Sequence, residues 1–227
     1  AKAAFGIFPA ESTEQDSILA HNDDKTFELF HLRQQTKKAK GLPLYSLSDF
    51  IAPAGEKQDH LGAFAVTTGI GIEKWVKRFE DSHDDYSAIL LKSLADRLAE
   101  AFAECLHKKV RTEYWGYSIN ESLTNDELIK EKYEGIRPAP GYPACPEHSE
   151  KETLFKMLDV QNNVNISLTE SFAMYPASSV SGWYFAHPES KYFPVNFVGQ
   201  DQAVDYAKRK NISLEASEKL LVSLLNK

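Results

Sequence analysis

The sequence predicts an α+β fold, a twisted antiparallel sheet with flanking helices, and two observations carry that prediction. Short strand-like runs follow one another closely before residue 70, and helical periodicity takes over from about Ile72. Consecutive strands with short connections favour antiparallel pairing, because parallel neighbours need a crossover of a dozen residues or more. Strands grouped apart from helices give an α+β arrangement.

The first run is AAFGIFPA, residues 3–10. TFELFHLRQQ follows at 26–35, where Phe27, Leu29 and His31 alternate with Glu28 and Phe30 in a partly two-residue rhythm. HNDDK, between them, reads as a turn, and LGAFAVTTG at 61–69 is a third apolar run closed by glycine. The strongest helix is DDYSAILLKSLADRLAEAFAECLHKKV, expected to start near Asp84 and to bury a stripe of Leu90, Leu94, Leu98, Phe102 and Cys105 or Leu106. Acidic residues at its start and Lys108 and Lys109 at its end suit the helix dipole. SLTNDELIKEKYEG carries a Thr or Asn cap ahead of acidic residues, with a glycine after the last periodic position. SEKETLFKMLDV has a Ser cap and predicts another helix. The stretch from Leu168 to Phe197 reads as strands with turns at PASS and HPESK, and two helices joined at Asn211 follow.

At 227 residues, 42% hydrophobic, the chain can bury a substantial core, and we read it as one domain spanning 1–227. The net charge of −7 suits a phosphate backbone poorly, so no nucleic-acid partner is expected. No apolar run approaches the roughly 20 residues that cross a bilayer, and the start lacks a signal-peptide pattern, so no membrane partner is expected either. Two cysteines, Cys105 and Cys145, fit a reducing compartment, with the cytoplasm as the default. Cys145 and His148 lack a second ligand pair, so no metal site is expected. Without an initiating Met, the chain is expected to be a piece of a longer protein.

Three groups of residues bear on function. GIRPAPGYPACPEH, residues 135–148, sets four prolines and two glycines between two helical stretches. Each proline fixes its own φ and biases the residue before it toward extended backbone, while glycine permits a turn, so the segment is stiff and irregular. Such a loop holds backbone groups at fixed positions for a ligand at little ordering cost, and Arg137 at its entrance could clamp a carboxylate. It could equally be a rigid connector whose arginine pairs with a nearby acid. Asp96, Glu100 and Glu104 lie four apart on one helix face, either to meet a cation or as a solvated face eased by Arg97 and Lys108. Trp183, Tyr184, Phe185, Tyr192 and Phe193 crowd a hairpin, where rings stack on a base or enclose a sulfonium but more often fill a core. His187 reads as a surface imidazole, and no catalytic acid, base or nucleophile is nominated.

The chain resembles the C-terminal activation domain of cobalamin-dependent methionine synthase at FGIFPA, HLRQQ, DFIAP, HDDY, LADRLAEAFAE, YWGY, the whole 135–148 segment, LTESFAM and SGWYF-x-HP-x-SKYF. The resemblance covers nearly the whole chain. It implies a site for S-adenosylmethionine built from Glu100, Arg137, Tyr142, Ala144, Tyr192 and Phe193, with the arginine on the methionine carboxylate. It implies a reactivation module of a methyltransferase: the domain presents S-adenosylmethionine for reductive remethylation of cob(II)alamin. The cobalamin would be held by a cobalamin-binding domain of the same parent chain, and flavodoxin or another reductase would supply the electron. The isolated chain is then not expected to turn over. The family's domain carries a further N-terminal portion with an Asp-Trp and Pro-Phe-Phe element, and that element is not found in this sequence; a site lacking it is expected to bind weakly. Two other functions stay open on the residues alone. One is an independent enzyme acting on small cations through the helix carboxylates. The other is a structural docking module for a cobalamin-binding domain.

Overall fold

The computed structural model describes residues 1–23 and 25–225. Five strands form the main sheet: β1 (Lys2–Ser12), β2 (Ser17–Asn22), β3 (Lys25–Phe30), β4 (Asp59–Thr67) and β7 (Ser179–Tyr184). Their order is β3-β2-β1-β4-β7, and every pairing is antiparallel. β5 (Ser167–Leu168) and β6 (Met174–Tyr175) form a separate two-stranded ribbon. The helices are α1 (Glu73–Asp81), α2 (Asp85–Lys109), α3 (Asn125–Ile129), α4 (Glu150–Met157), α5 (Val160–Val164), α6 (Gln200–Lys210) and α7 (Leu214–Leu220). The α+β prediction therefore describes the molecule. β2 is absent from the sequence-based expectation, because SILAHN is short and its last two residues fall in the HNDDK stretch expected as a turn; His21 and Asn22 instead pair with Thr26 and Lys25 of β3, and Asp24 lies outside the described residues.

The register explains why β4 reads as a continuous apolar run. It lies between β1 and β7 and is covered on both faces, so its residues from Leu61 to Thr67 are all buried. On one face Phe8, Ala10, Ile18, Leu29, Leu61, Ala63 and Trp183 meet Leu154, Met157, Val160, Val164, Ala203 and Tyr206 from the helices α4 to α6. On the other, Phe64, Val66 and Tyr184 meet Ala103, Leu106 and Val110.

α2 begins where its cap signal places it: Asp84 accepts a hydrogen bond from the Ser87 amide. Its buried stripe is not the leucine stripe expected from periodicity. Ala88, Ala95, Ala99, Ala103, Leu106 and His107 are buried, Ala103 and Leu106 against the sheet residues Phe64, Val66 and Tyr184, whereas Leu90, Leu94 and Leu98 are 44%, 53% and 60% exposed. The alanines leave room for the helix to lie close on β4 and β7, so the small residues take the buried face and the leucines stand on its flank. Of the Thr or Asn cap expected for α3, Thr124 is the one used, in a capping box with Glu127, while Ser149 makes no cap bond to α4 and instead joins Glu147 through its hydroxyl and its amide. The two C-terminal helices meet at Asn211, which adopts a left-handed conformation at φ 54°.

His31, at the end of β3, is buried with neither ring nitrogen hydrogen-bonded among the described residues. Burial, helped by the positive charges of Arg209 and Lys210, lowers its pKa from 6.5 to about 3. Between those values the unfolded chain binds a proton that the folded chain does not. The stability contributed by the neutral ring is therefore complete above 6.5 and is lost as the pH falls toward 3. We expect the urea midpoint to fall between about pH 7.5 and about pH 5, and a His31→Leu chain to show a shallower fall over the same interval. Parallel slopes for the two chains would contradict this assignment.

Candidate functional site

The proline segment is positioned by β7. That strand forms an edge of the sheet, and residues 136–138 run beside it: Ile136 and Phe185 exchange amide–carbonyl bonds of 3.0 and 3.1 Å, and the Trp183 amide donates to the Pro138 carbonyl at 2.9 Å. Gly182 makes this approach possible, because a Cβ there would lie 2.6 Å from the Pro138 carbonyl oxygen. Beyond Pro138 the chain folds back on itself. Tyr142 donates to the Ala139 carbonyl, Cys145 to the Tyr142 carbonyl, and Gly141 to the Cys145 carbonyl at 2.7 Å. Gly141 has φ +97° and packs on the His148 ring so closely that a Cβ would lie 2.2 Å from it. The Val195 amide then donates to the Pro143 carbonyl at 2.8 Å, tying the 192–194 stretch to the loop. The stiff loop expected from its prolines is thus a compact double turn pinned between β7, His148 and Val195.

A cavity of about 570 Å³ opens between this loop, α2 and residues 192–194. All six predicted site residues line it: Glu100, Arg137, Tyr142, Ala144, Tyr192 and Phe193. They come from distant parts of the chain and are brought together by the β7 edge. Ala144 and Phe193 are buried, while Tyr142 and Tyr192 remain partly exposed at the opening. Phe64 and Val180 contribute sheet residues, and Glu131 a second carboxylate. Nothing in the local sequence signals Phe64, Val180 or Glu131, whose roles depend on the tertiary fold. Glu100 also faces two adjoining recesses, one beside Asp96, Arg97 and Ser178, the other beside Gly141, His148 and Lys151.

The three acids of α2 have separate partners. Asp96 accepts a 2.6 Å hydrogen bond from the Ser178 hydroxyl, Glu100 faces the cavity, and Glu104 accepts a 2.6 Å bond from Arg137 Nη2. Among the described residues Arg97 shares a recess with Asp96 and Glu100, and no ion pair joins Arg97 or Lys108 to the three acids. The two alternatives for Arg137 hold together, since it pairs with an acid and also lines the cavity. Its backbone amide donates to the Tyr192 hydroxyl at 2.9 Å, fixing a ring of the cavity wall to the loop entrance. Its Nε is buried without a hydrogen-bond partner among the described residues. Burial works against its charge, but Glu104, with the Tyr133, Tyr192 and Tyr184 hydroxyls, outweighs that, so its pKa is raised.

Beneath Arg137 lies a polar-aromatic layer that the sequence reading did not identify. His107 stacks on Tyr184 with ring centres 5.0 Å apart and meets Tyr133 edge-on at 4.9 Å. Burial first, then Arg111 and Arg137, push the His107 pKa well below its ordinary value, so the ring is neutral and adds no charge beside the arginine. Trp183, Tyr184 and Phe185 belong to the core, as ring clusters usually do, and only Tyr192 and Phe193 of the aromatic group reach the cavity.

An arginine, a carboxylate and aromatic surface lining one cavity suit a zwitterionic or cationic ligand that carries an aromatic base. Among the described residues no His, Cys, Asp and Glu cluster could hold a metal ion, and no helix is long and apolar enough to cross a membrane. Residues 1–211 match the family model described as vitamin B12 dependent methionine synthase, activation domain. The fold is similar to a crystal structure of the MetH reactivation domain bound to AdoHcy, with a TM-score of 0.94 and 51% sequence identity over 98% of this chain and 70% of that one. With the sequence motifs, the family match over residues 1–211 and the shared fold in agreement, the chain belongs to the activation-domain family of vitamin B12-dependent methionine synthase.

Proposed function

We propose that the cavity beside the 135–148 loop binds S-adenosylmethionine and presents its methyl group for reductive remethylation of cob(II)alamin carried by the cobalamin-binding domain of a parent methionine synthase. The observation that carries this reading is the convergence of Glu100, Arg137, Tyr142, Ala144, Tyr192 and Phe193 on one cavity of about 570 Å³, within the roughly 300–1,000 Å³ usual for small-molecule sites. The similar MetH reactivation domain was solved with AdoHcy, the product that remains once S-adenosylmethionine has given up its methyl group.

Each residue has a task that follows from its chemistry. Arg137 receives the amino-acid carboxylate, since a guanidinium matches a carboxylate as a fork. Glu100 offers negative charge to the ammonium or sulfonium, and Tyr142, Tyr192 and Phe193 supply surface for the adenine and the sulfonium. The backbone of the loop through Ala144 fixes polar groups of the ligand at little ordering cost. S-adenosylmethionine supplies a methyl group on a cationic sulfur, whose leaving group is a neutral thioether. The chain's residues therefore need to place the donor and need not move a proton. The methyltransferase is the parent protein; by this reading the isolated chain binds the donor without turnover. The electron would come from flavodoxin or another reductase, and the setting would be the cytoplasm.

Titration calorimetry with S-adenosylmethionine tests the proposal. Saturable one-to-one binding, competed by AdoHcy, is the expected result. A flat titration for the chain, with retained association to a cobalamin-binding domain, would leave the purely structural docking role instead.

A further inference from the structure

We propose that Glu104, which does not line the cavity, is the positioning residue of the ligand arginine: it holds Arg137 by Nη2 and, with Nε buried, so aims the Nη1 end of the guanidinium at the ligand carboxylate. This rests on the binding reading above and adds to it a residue that touches no part of the ligand.

Two largely buried arginines flank the same aromatic layer, and their partners differ. Arg111 spends its fork on Glu121, with Nε to Oε2 at 2.6 Å and Nη2 to Oε1 at 2.8 Å. Its side chain is fully buried, and its guanidinium lies 4.1 Å from the Tyr133 ring centre. The Nε–Nη2 edge of that arginine is committed to structure, and its Nη1 is buried with no partner among the described residues. Arg137 makes a single bond to its carboxylate, Nη2 to Glu104 Oε2 at 2.6 Å. Among the described residues Arg137 Nε and Glu104 Oε1 are both buried without a partner, so the pair has not closed into the two-bond geometry that Arg111 and Glu121 adopt. The Arg137 side chain is 16% exposed at the cavity wall. A lone buried guanidinium would be costly and would swing toward any acceptor, whereas one anchored at a single nitrogen is neutralised and keeps its orientation. The anchor comes from α2, whose alanine face is packed on the sheet, so the orientation is inherited from a rigid element.

The experiment compares two ligands on the full chain by calorimetry. AdoHcy has the amino-acid end that Arg137 would receive; 5′-methylthioadenosine shares the adenosine and the thioether but has no carboxylate. Glu104→Gln keeps the shape and removes the charge. It is expected to weaken AdoHcy binding by about tenfold, the lower end for one charge-assisted hydrogen bond, and to leave methylthioadenosine within about twofold. Glu104→Asp, which draws the oxygens back by one methylene, is expected to show the same selective loss to a smaller degree and serves if the Gln chain folds poorly. Equal loss for both ligands in the two variants would make Glu104 merely structural and overturn the inference. So would unchanged AdoHcy affinity, or a rise, which would make Glu104 a competitor for the arginine. If the unsubstituted chain takes up neither ligand, the binding reading itself falls, a result distinct from binding that is indifferent to Glu104.

Discussion

Replacing Arg137 with Ala is expected to weaken S-adenosylmethionine binding by about tenfold to about a hundredfold, because a hydrogen bond to a charged group contributes roughly 1.5–3 kcal/mol. The direction follows from what the substitution leaves behind. The ligand carboxylate would enter a cavity walled by Pro138, Ala139, Tyr142 and Phe193 with no cation to replace its water, and Glu104 and Glu131 would remain nearby as like charges. Arg137→Lys separates charge from geometry. It retains the cation but not the planar fork, so an affinity between those of the wild type and the Ala chain is expected. Calorimetry with AdoHcy as the second ligand checks both variants, and a thermal melt shows whether the loop keeps its fold. A binding curve for Arg137→Ala that overlays the wild type would remove Arg137 from the site.

How much of this was legible in the sequence depends on whether the signal was local. The start of α2 was readable because Asp84 is a capping residue whose partner is three positions away. The same holds for the Thr124–Glu127 box and for the turn at Asn211. α1 carries no such cap bond, since Ile72 makes none through its side chain, and its onset is marked instead by the helical periodicity that begins there. α5 is five residues long, bounded by Asp159 and Asn165 in left-handed conformations, too short for periodicity to register. The leucine stripe of α2 failed for a different reason. Periodicity shows which residues share a flank but not which flank faces the sheet, and the alanines won that face because they let the helix come close.

The site shows the same division. The stiffness of residues 135–148 was visible in the prolines, yet what makes the loop a wall is its alignment on the free edge of β7 and the glycine at 182 that admits it. Composition had suggested three weak groups of residues, and only the resemblance joined them. The topology supplies the physical reason for the join: β7 lies beside β4 under α2, so one strand brings the acid face of the helix, the loop and the 192–194 rings to a common opening. Glu104 was noted as one of three spaced acids, but its tie to Arg137 depends on a contact that no spacing encodes.

The largest stability effect is expected at the other arginine. Arg111→Leu should cost about 3–5 kcal/mol, because it strands the Glu121 carboxylate, 3% exposed, in a site built for a bidentate partner. Glu121→Leu should cost a similar amount by stranding the guanidinium, whose Nη1 already lacks a hydrogen bond among the described residues. The double Arg111→Leu/Glu121→Leu chain removes both charges together, so it should recover a large part of the loss and depart strongly from the sum of the single changes. Urea unfolding of the four chains at neutral pH measures this coupling. If the single variants cost no more than about 1 kcal/mol and their effects add, the pair behaves as an exposed one and burial is not what sets its value. The consequence would reach the ligand site through Tyr133, whose ring lies over Arg111 and edge-on to His107. Loosening the Arg111 end of that layer removes the packing on which the Arg137 end rests, so both single variants should also lose AdoHcy affinity, and the double chain should regain it in step with its stability.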